Sequence, residues 1–426
     1  MRINKGYTIK RILLISGIIV LLGGRLAAGK APVLEAEAAI LIDARSGRIL
    51  YEKNSMKEMQ PASLTKLMTA YITLNRSAAG DLDWDDRAKM TRYAFRIASN
   101  WSLSNTPVII REKAYSILEL FEAALIFSSN SAAITLAEHI AGTEVEFVKQ
   151  MNEKARDMGM NSSKFYDSTG LSNGKIQVKM PYSEGGNKMS ARDVALLAWY
   201  ILREYPHVLK ITSIRNKKYS MNGDKGTVMG NSNWMIPGLR AGYRGLDGLK
   251  TGHTRSAGYC FVATARRDGM RLISVIMKAR TRSVCFRQTK SLLDWGFAEF
   301  SLDEYVPNGY SLNIPLESNL EDYVPVVTVE PLKQIVRKRD VNSPDIQYHL
   351  KSPYDRKLLA PLQMGEVVGV LKSAGHSDKD KTYISEEGRS IESAKIVVNK
   401  DITRPGWMRM VFHQLHLFVF DWYGIP

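Results

Sequence analysis

Ser63 and Lys66 stand three residues apart in the run Pro61-Ala-Ser-Leu-Thr-Lys66. Proline followed by small residues is a helix-start signal, and Leu64, Leu67, Met68, Tyr71 and Ile72 then recur at helical spacing. Residues i and i+3 share a helix face, so the Lys66 amine can reach the Ser63 hydroxyl. The partial positive charge of a helix N-terminus favours a developing alkoxide, and an amine buried away from water holds its proton less tightly. The pair is thus equipped as a nucleophile and its general base. The spacing alone is weak, because serine and lysine often meet at it as a cap and a solvated cation. Its place at the head of an apolar helix gives it weight.

Two more polar groups follow in chain order. Ser128-Ser-Asn-Ser131 interrupts two apolar helical stretches. Such a break is commonly only a turn with caps, but as chemistry it offers Ser128 to relay a proton to a leaving group and the Asn130 amide to bind a substrate carbonyl. Lys250-Thr-Gly252 reads as a strand edge bearing a cation and a hydroxyl, which suits a terminal carboxylate. Gly252, lacking a side chain, lets a substrate backbone approach. The seven histidines are scattered, so neither a metal nor an organic cofactor is expected. The only two cysteines, Cys260 and Cys285, are too few for a disulfide framework and read as inert buried thiols or a single bridge.

Three such motifs in this order resemble the low-molecular-weight penicillin-binding proteins. Ala39-Ile-Leu-Ile-Asp-Ala-Arg-Ser-Gly-Arg-Ile-Leu-Tyr-Glu, Pro61-Ala-Ser-Leu-Thr-Lys-Leu-Met-Thr-Ala and Gly245-Leu-Asp-Gly-Leu-Lys-Thr-Gly-His-Thr are similar to the D-alanyl-D-alanine carboxypeptidase branch, over roughly residues 36 to 300. The resemblance implies that Ser63 is acylated by the penultimate D-alanine of a peptidoglycan stem peptide, that the terminal D-alanine leaves, and that β-lactams are trapped as slow acyl-enzymes. It implies Lys66 as general base, Ser128 and Asn130 across the cleft, Lys250 and Thr251 on the substrate carboxylate, and the backbone N–H groups of Ser63 and His253 as an oxyanion hole. Where relatives have glycine or aspartate beside the middle serine and asparagine, this chain has Ser129 and Ser131. That departure bears on fine specificity.

These residues need a scaffold. Residues 38 to 52 read as two strands joined by an Asp-Ala-Arg-Ser-Gly turn. Helices are expected from Ser116 to the Phe127 region, over Ala132 to Ile140, over Ala191 to Leu202 and around Gln288 to Phe297. Gly223 to Gly248 reads as loops, and Gly258 to Ala265 and Arg271 to Met277 as strands joined through Arg-Arg-Asp-Gly. Past about Tyr305 the texture turns to short β-rich runs, Val324-Pro-Val-Val-Thr-Val and Glu366-Val-Val-Gly-Val-Leu among them.

The expected fold is α/β (α+β): a β-lactamase/transpeptidase-like catalytic domain with an antiparallel sheet flanked by helices and a helical subdomain, then a small all-β domain and a C-terminal amphipathic helix. The expected ranges are 1–29 for a signal peptide, 33–300 for the serine peptidase domain, 304–398 for the β-rich domain and 402–426 for a membrane-anchoring helix. Arg2, Lys5, Lys10 and Arg11 before the apolar run Ile12 to Leu22, with small residues at Ala27, Ala28 and Gly29, have the shape of a secretory signal. The run falls short of the ~20 apolar residues of a comfortable spanning helix. Trp407, Met408, Val411, Phe412, Leu415, Phe418, Val419 and Trp422 recur at helical spacing, as in a helix lying in a membrane interface.

A formal charge of +16 over 426 residues, with no compact basic motif or aromatic-studded sheet, argues for an anionic lipid or wall surface rather than nucleic acid. Export to the outer face of the cytoplasmic membrane, on the cell-wall or periplasmic side, follows from these ends. Two competing readings are a β-lactamase, which needs a deacylating carboxylate where Ser172 to Met189 offers only Glu184, and a non-catalytic β-lactam-sensing or wall-binding module, which would want spanning helices.

Overall fold

The computed structural model describes residues 29–100, 113–171, 186–219, 227–316, 323–340, 345–351, 358–374 and 382–403. The signal segment up to residue 28, the aromatic tail from 404 and Glu184 lie outside the described residues.

The chain opens with the expected hairpin, β1 (Ala38–Asp43) and β2 (Ile49–Lys53). Its turn is tied by Asp43, whose carboxylate accepts the Ser46 N–H and hydroxyl, both at 2.8 Å. Two short ribbons follow, β3 (Arg87–Lys89) with β4 (Ala114–Ser116) and β5 (Asn216–Tyr219) with β6 (Thr227–Gly230). β6 falls inside a stretch whose glycine and asparagine content reads as loop, because the pairing that makes it a strand comes from β5 rather than from its own residues. Then come β7 (Leu246–Thr254), β8 (Gly258–Arg267) and β9 (Met270–Ala279). β8 and β9 turn through Asp268 and Gly269, both at positive φ, as a two-residue hairpin with right-twisted strands demands.

The five strands form one antiparallel sheet in the order β2-β1-β9-β8-β7. Alternate residues point to opposite faces. Ile40, Ile42, Val262, Ile273 and Val275 enter the core beneath the helices α1 (Lys66–Ala78), α2 (Arg92–Ser99), α3 (Ile117–Glu122), α4 (Asn130–Ala141), α5 (Glu144–Asp157) and α6 (Ala191–Glu204). Ala39, Leu41, Phe261, Ala263 and Leu272 enter a second core against α7 (Arg282–Glu299). Both faces are covered, so the central strands β1, β8 and β9 are largely apolar rather than alternating. α7 begins six residues before its apolar spacing becomes legible, because Thr281 caps it by accepting the Val284 N–H at 3.2 Å.

A separate small β unit follows. β10 (Phe300–Val306) pairs with β13 (Leu332–Arg337), and β11 (Ser311–Pro315), β12 (Tyr323–Thr328), β16 (Ser393–Val398), β15 (Val367–Ala374) and β14 (Asp345–Leu350) form a five-stranded sheet in that spatial order. The expected fold class, an α+β unit with a small all-β domain, is borne out.

The two units share structure. β2 is an edge strand, and its free side is taken by the stretch 382–384: Ile49 N–H donates to the Thr382 carbonyl at 2.8 Å and Ile384 N–H to the Gly47 carbonyl at 2.9 Å. Ile384 is buried with the helical core, against Trp199 and Gly47. Arg45 and Arg48 donate to the carbonyls of Lys333 and Ile335, and Arg192 to that of Tyr383 at 2.8 Å. Among the described residues no helix is long and apolar enough to cross a membrane.

Candidate active site

Ser63 lies on a 3-10 turn, Ala62–Thr65, that runs into α1, rather than on the α-helix itself. In a 3-10 turn side chains three apart eclipse, which brings Lys66 onto Ser63 more directly than an α-helix would. Lys66 Nζ lies 3.1 Å from Ser63 Oγ. The turn is held in an uncommon backbone state: Ala62 has φ +49°, and a loop from much later in the chain lies against its carbonyl. That segment ends at Gly170, φ +82°, where a Cβ would lie 1.8 Å from the Ala62 oxygen. Only glycine fits there.

Lys66 is fully buried. Its ammonium donates to Asn130 Oδ1 at 2.5 Å and to the Thr169 carbonyl at 2.9 Å besides meeting Ser63. Burial pulls its pKa down to about 7, while the nearby Asp167 carboxylate pulls the other way. An amine so poised exists in both protonation states near neutrality, which general-base work requires.

The middle motif owes its geometry to a feature the sequence does not advertise. α3 passes at Ala123 into a π-turn, Ala123–Phe127, which closes with Ser128 in the left-handed region, φ +68°. The expected helix to Phe127 is thus an α-helix only as far as Glu122. Ser129 then caps α4 by accepting the Ala132 N–H at 3.2 Å. The turn-with-a-cap reading of this tetrad is correct for Ser129, and that cap is what leaves Ser128 on the wall of the Ser63 cavity and Asn130 on Lys66. Asn130 Oδ1 accepts from the lysine, and the donor that its amide can offer is the NH2 group.

Strand β7 carries the third motif along the other wall. The Thr251 hydroxyl donates to Ser232 Oγ at 3.0 Å, and both line the cavity. Gly252 packs on the nucleophile's own turn: a Cβ there would lie 2.9 Å from the Pro61 oxygen and 3.1 Å from the Ser63 nitrogen. The missing side chain therefore brings the Gly252–His253 backbone alongside the Ser63 N–H. The His253 ring stacks on Tyr259, centroids 4.0 Å apart, and both residues line the cavity. Lys250 is buried and donates to the Thr251 carbonyl at 3.0 Å. Burial first, and Lys66 second, hold its pKa well below the ordinary lysine value.

All eight residues singled out by motif lie on this one site: Ser63, Lys66, Ser128, Asn130, Lys250, Thr251, Gly252 and His253. Sequence reasoning passed over two others. Asp167, buried beside Lys66, organises the loop that supplies the Thr169 carbonyl. Arg282, first residue of α7, lines the cavity of about 260 Å³ and stacks its guanidinium on Trp234 at 4.4 Å. Burial and this arginine together lower the His253 pKa. Cys260 and Cys285 also line the cavity; both are free and buried, and burial pushes the Cys260 thiol up to about 11 and raises that of Cys285.

The family model described as D-alanyl-D-alanine carboxypeptidase matches residues 26–281. The chain belongs to that family. Relatives in this carboxypeptidase family include D-alanyl-D-alanine carboxypeptidase DacF of Bacillus subtilis, 28% identical over 88% of this chain and 87% of its own length. The DacA enzyme of Haemophilus influenzae is 30% identical over the same shares, 88% and 87%. A crystal structure of a peptidoglycan synthesis regulatory factor (PBP3) from Streptococcus pneumoniae is 32% identical and covers 87% of this chain and 100% of its own, with a TM-score of 0.73. Penicillin-binding protein D2 of Listeria monocytogenes, solved with ampicillin bound, is 32% identical over 63% of this chain and 100% of its own, TM-score 0.53. The family resemblance carried by the three motifs, and with it a serine-type D-alanyl-D-alanine carboxypeptidase, is borne out.

Proposed function

We propose that Ser63 attacks the carbonyl of the penultimate D-alanine of a peptidoglycan stem pentapeptide, with Lys66 taking the hydroxyl proton as general base. The observation that carries this reading is the fully buried Lys66 amine, 3.1 Å from Ser63 Oγ and with a pKa near 7. Ser128 relays the proton to the departing D-alanine. The Asn130 amide and the Ser63 and His253 backbone N–H groups hold the carbonyl on either side. Water then releases the shortened stem from Ser63. β-Lactams enter the same way and remain as acyl-enzymes; Asp167 Oδ1, on the loop beside Lys66, is already taken up by three donors at 2.6 to 2.7 Å.

The substrate's terminal carboxylate meets Thr251, with Lys250 buried next to it and Arg282 on the cavity wall. Arg282 is exposed, held by Trp234, and permanently charged, whereas burial biases the Lys250 amine toward neutrality. Arg282→Ala is expected to raise KM for a D-alanyl-D-alanine peptide about tenfold with kcat changed far less, as loss of a charge-assisted contact at an exposed site would. Steady-state kinetics on peptide substrate checks this; an unchanged KM would take Arg282 out of the site.

We further propose that the chain is exported and acts at the outer face of the cytoplasmic membrane, held by its aromatic C-terminal segment. The basic and apolar N-terminal run, the tail's helical spacing of aromatics and the charge of +16 support it.

One experiment addresses the whole reading. Full-length protein produced in cells is fractionated, labelled with a fluorescent penicillin, digested and mapped by mass spectrometry, and supplied with a stem pentapeptide. The expected result is a membrane-fraction protein carrying one adduct on the Ser63 peptide and releasing D-alanine. An adduct elsewhere overturns Ser63 as nucleophile, and rapid loss of the adduct would favour a β-lactamase. An unchanged membrane fraction on deleting residues 404–426 overturns the anchor.

A further inference from the structure

The cavity beside Ser63 is lined by one more hydroxyl, which belongs to none of the three motifs. Ser232 sits in Asn231-Ser-Asn233, within a stretch whose composition reads only as loop, and it shares the cavity wall with Ser63, Ser128 and Thr251. Its two neighbours are buried and spend their side chains on the backbone. Asn231 Nδ2 donates to the carbonyls of Thr212 at 2.9 Å and Ile214 at 2.8 Å, and its Oδ1 accepts the Asn233 N–H at 2.8 Å. Asn233 Oδ1 accepts the Met235 N–H at 3.1 Å, and its Nδ2 reaches the Gly248 carbonyl at 3.5 Å. The main chain adds two more ties, Asn231 N–H to the Arg215 carbonyl at 2.7 Å and Ser232 N–H to the Ile126 carbonyl at 3.0 Å. Buried amides that are fully bonded make a rigid frame. This frame stands between β7 and the π-turn that ends at Ser128, and the side chain it presents to the cavity is Ser232.

The direction of the bond to Thr251 sets what that hydroxyl can do. Thr251 Oγ1 donates to Ser232 Oγ at 3.0 Å. A hydroxyl has a single proton, so while Thr251 gives its own to Ser232 it has none for a ligand. Ser232 accepts that bond and keeps its own proton, which no acceptor among the described residues takes. The chain of donors therefore runs from Thr251 through Ser232 into the cavity, and a hydroxyl that accepts one bond donates the next more strongly.

We infer that Ser232 is the direct hydrogen-bond donor to the substrate's terminal carboxylate, backed by Thr251, and that this relay selects peptides with a free carboxylate over those with an uncharged end. The inference rests on the carboxypeptidase reaction proposed above and adds a specificity residue to it. An ionised carboxylate only accepts hydrogen bonds, so it matches a wall that offers a proton, and its charge makes the bond stronger than one to a neutral oxygen. Arg282 on the same wall supplies attraction from an exposed side chain. The pinned Ser232 supplies register: it fixes where the end of the peptide stops, and with it which carbonyl is offered to Ser63.

The test gives the full-length protein two substrates, a peptide ending in D-alanyl-D-alanine and the same peptide ending in D-alanine ethyl thioester. The second acylates Ser63 with loss of ethanethiol and has no terminal carboxylate. Ser232→Ala is expected to lower kcat/KM for the carboxylate peptide about tenfold or more, mainly through KM, and to change that for the thioester less than about twofold. Ser232→Thr, which keeps the hydroxyl, should restore the carboxylate peptide to within about threefold of wild type. Adding Thr251→Val to Ser232→Ala should cost little more, because the two hydroxyls act as one chain.

Equal losses on both substrates would mean that the loop is merely structural, and no loss on either would leave Thr251 as the donor; each result overturns the inference. Full additivity of the two substitutions overturns it as well. Should Ser232→Ala fail to fold, as judged by circular dichroism, Ser232→Cys decides in its place, since a thiol fills the site but donates weakly. The same selective rise in KM then sustains the inference, and an unchanged KM removes it. A wild-type enzyme that turns over neither substrate would overturn the proposed reaction itself, an outcome visible without any variant.

Discussion

Lys66→Arg is expected to lose acylation by penicillin almost completely, by at least about 10³-fold in rate, although it keeps a positive charge at the same place. Arginine is never neutral in a protein, so it cannot take the Ser63 proton. Lys66→Met should be equally inactive, because it strips the donor from Ser63 Oγ, Asn130 Oδ1 and the Thr169 carbonyl together. If a fixed cation beside Ser63 were sufficient, the arginine variant would retain much of its rate while the methionine variant would not. Rapid-mixing measurement of labelling, with circular dichroism to verify folding, separates these cases. An arginine variant within tenfold of wild type would remove Lys66 as base.

Gly170→Ala should be the most damaging single methyl group in the molecule. A left-handed backbone costs a non-glycine residue ~1 to 2 kcal/mol, and here the new methyl also points at a backbone oxygen that cannot rotate away. A loss of about 3 kcal/mol or more is expected, a fall in Tm of roughly 6 to 12 °C for a domain of this size. Relief of the clash must move either Ala62, which precedes the nucleophile, or Thr169, whose carbonyl holds Lys66. Acylation should therefore fall together with stability. A variant that melts within about 2 °C of wild type would show that the loop yields easily and that Ala62 is not clamped by it.

The parts of this enzyme set by local chemistry were legible in the sequence. The turn between β1 and β2, the stripe of α1 and the paired strands β8 and β9 are written in residues a few positions apart. So were the eight motif residues, whose types and order were enough to gather them. What could not be read depends on partners distant along the chain. Nothing in Ala123-Ala-Leu-Ile-Phe127 distinguishes an α-turn from a π-turn, because the extra residue is accommodated by Ser128 turning left-handed at its end. Asp167-Ser-Thr-Gly170 looks like an ordinary loop until Lys66, more than a hundred residues earlier, is found against its carbonyl. Arg282 lacks any motif, and only the close approach of α7 to the end of β7 shows that it faces the cavity. Gly252 was expected to make room for a substrate, but the nearest atoms it accommodates are those of the nucleophile's own turn.

The strand edge that β2 lends to the stretch 382–384 makes the small β unit part of how the catalytic unit holds together. Ile384 fills a socket beside Trp199, and three arginines of the catalytic unit spend their hydrogen bonds on carbonyls beyond residue 330. Parting the units would expose an apolar hole and an unpaired strand edge at once, so a single cooperative melting transition is expected of the chain. A gene cut short after the last catalytic helix would accordingly yield an aggregating fragment in place of a smaller enzyme. On that expectation the β unit is a folding partner of the catalytic unit.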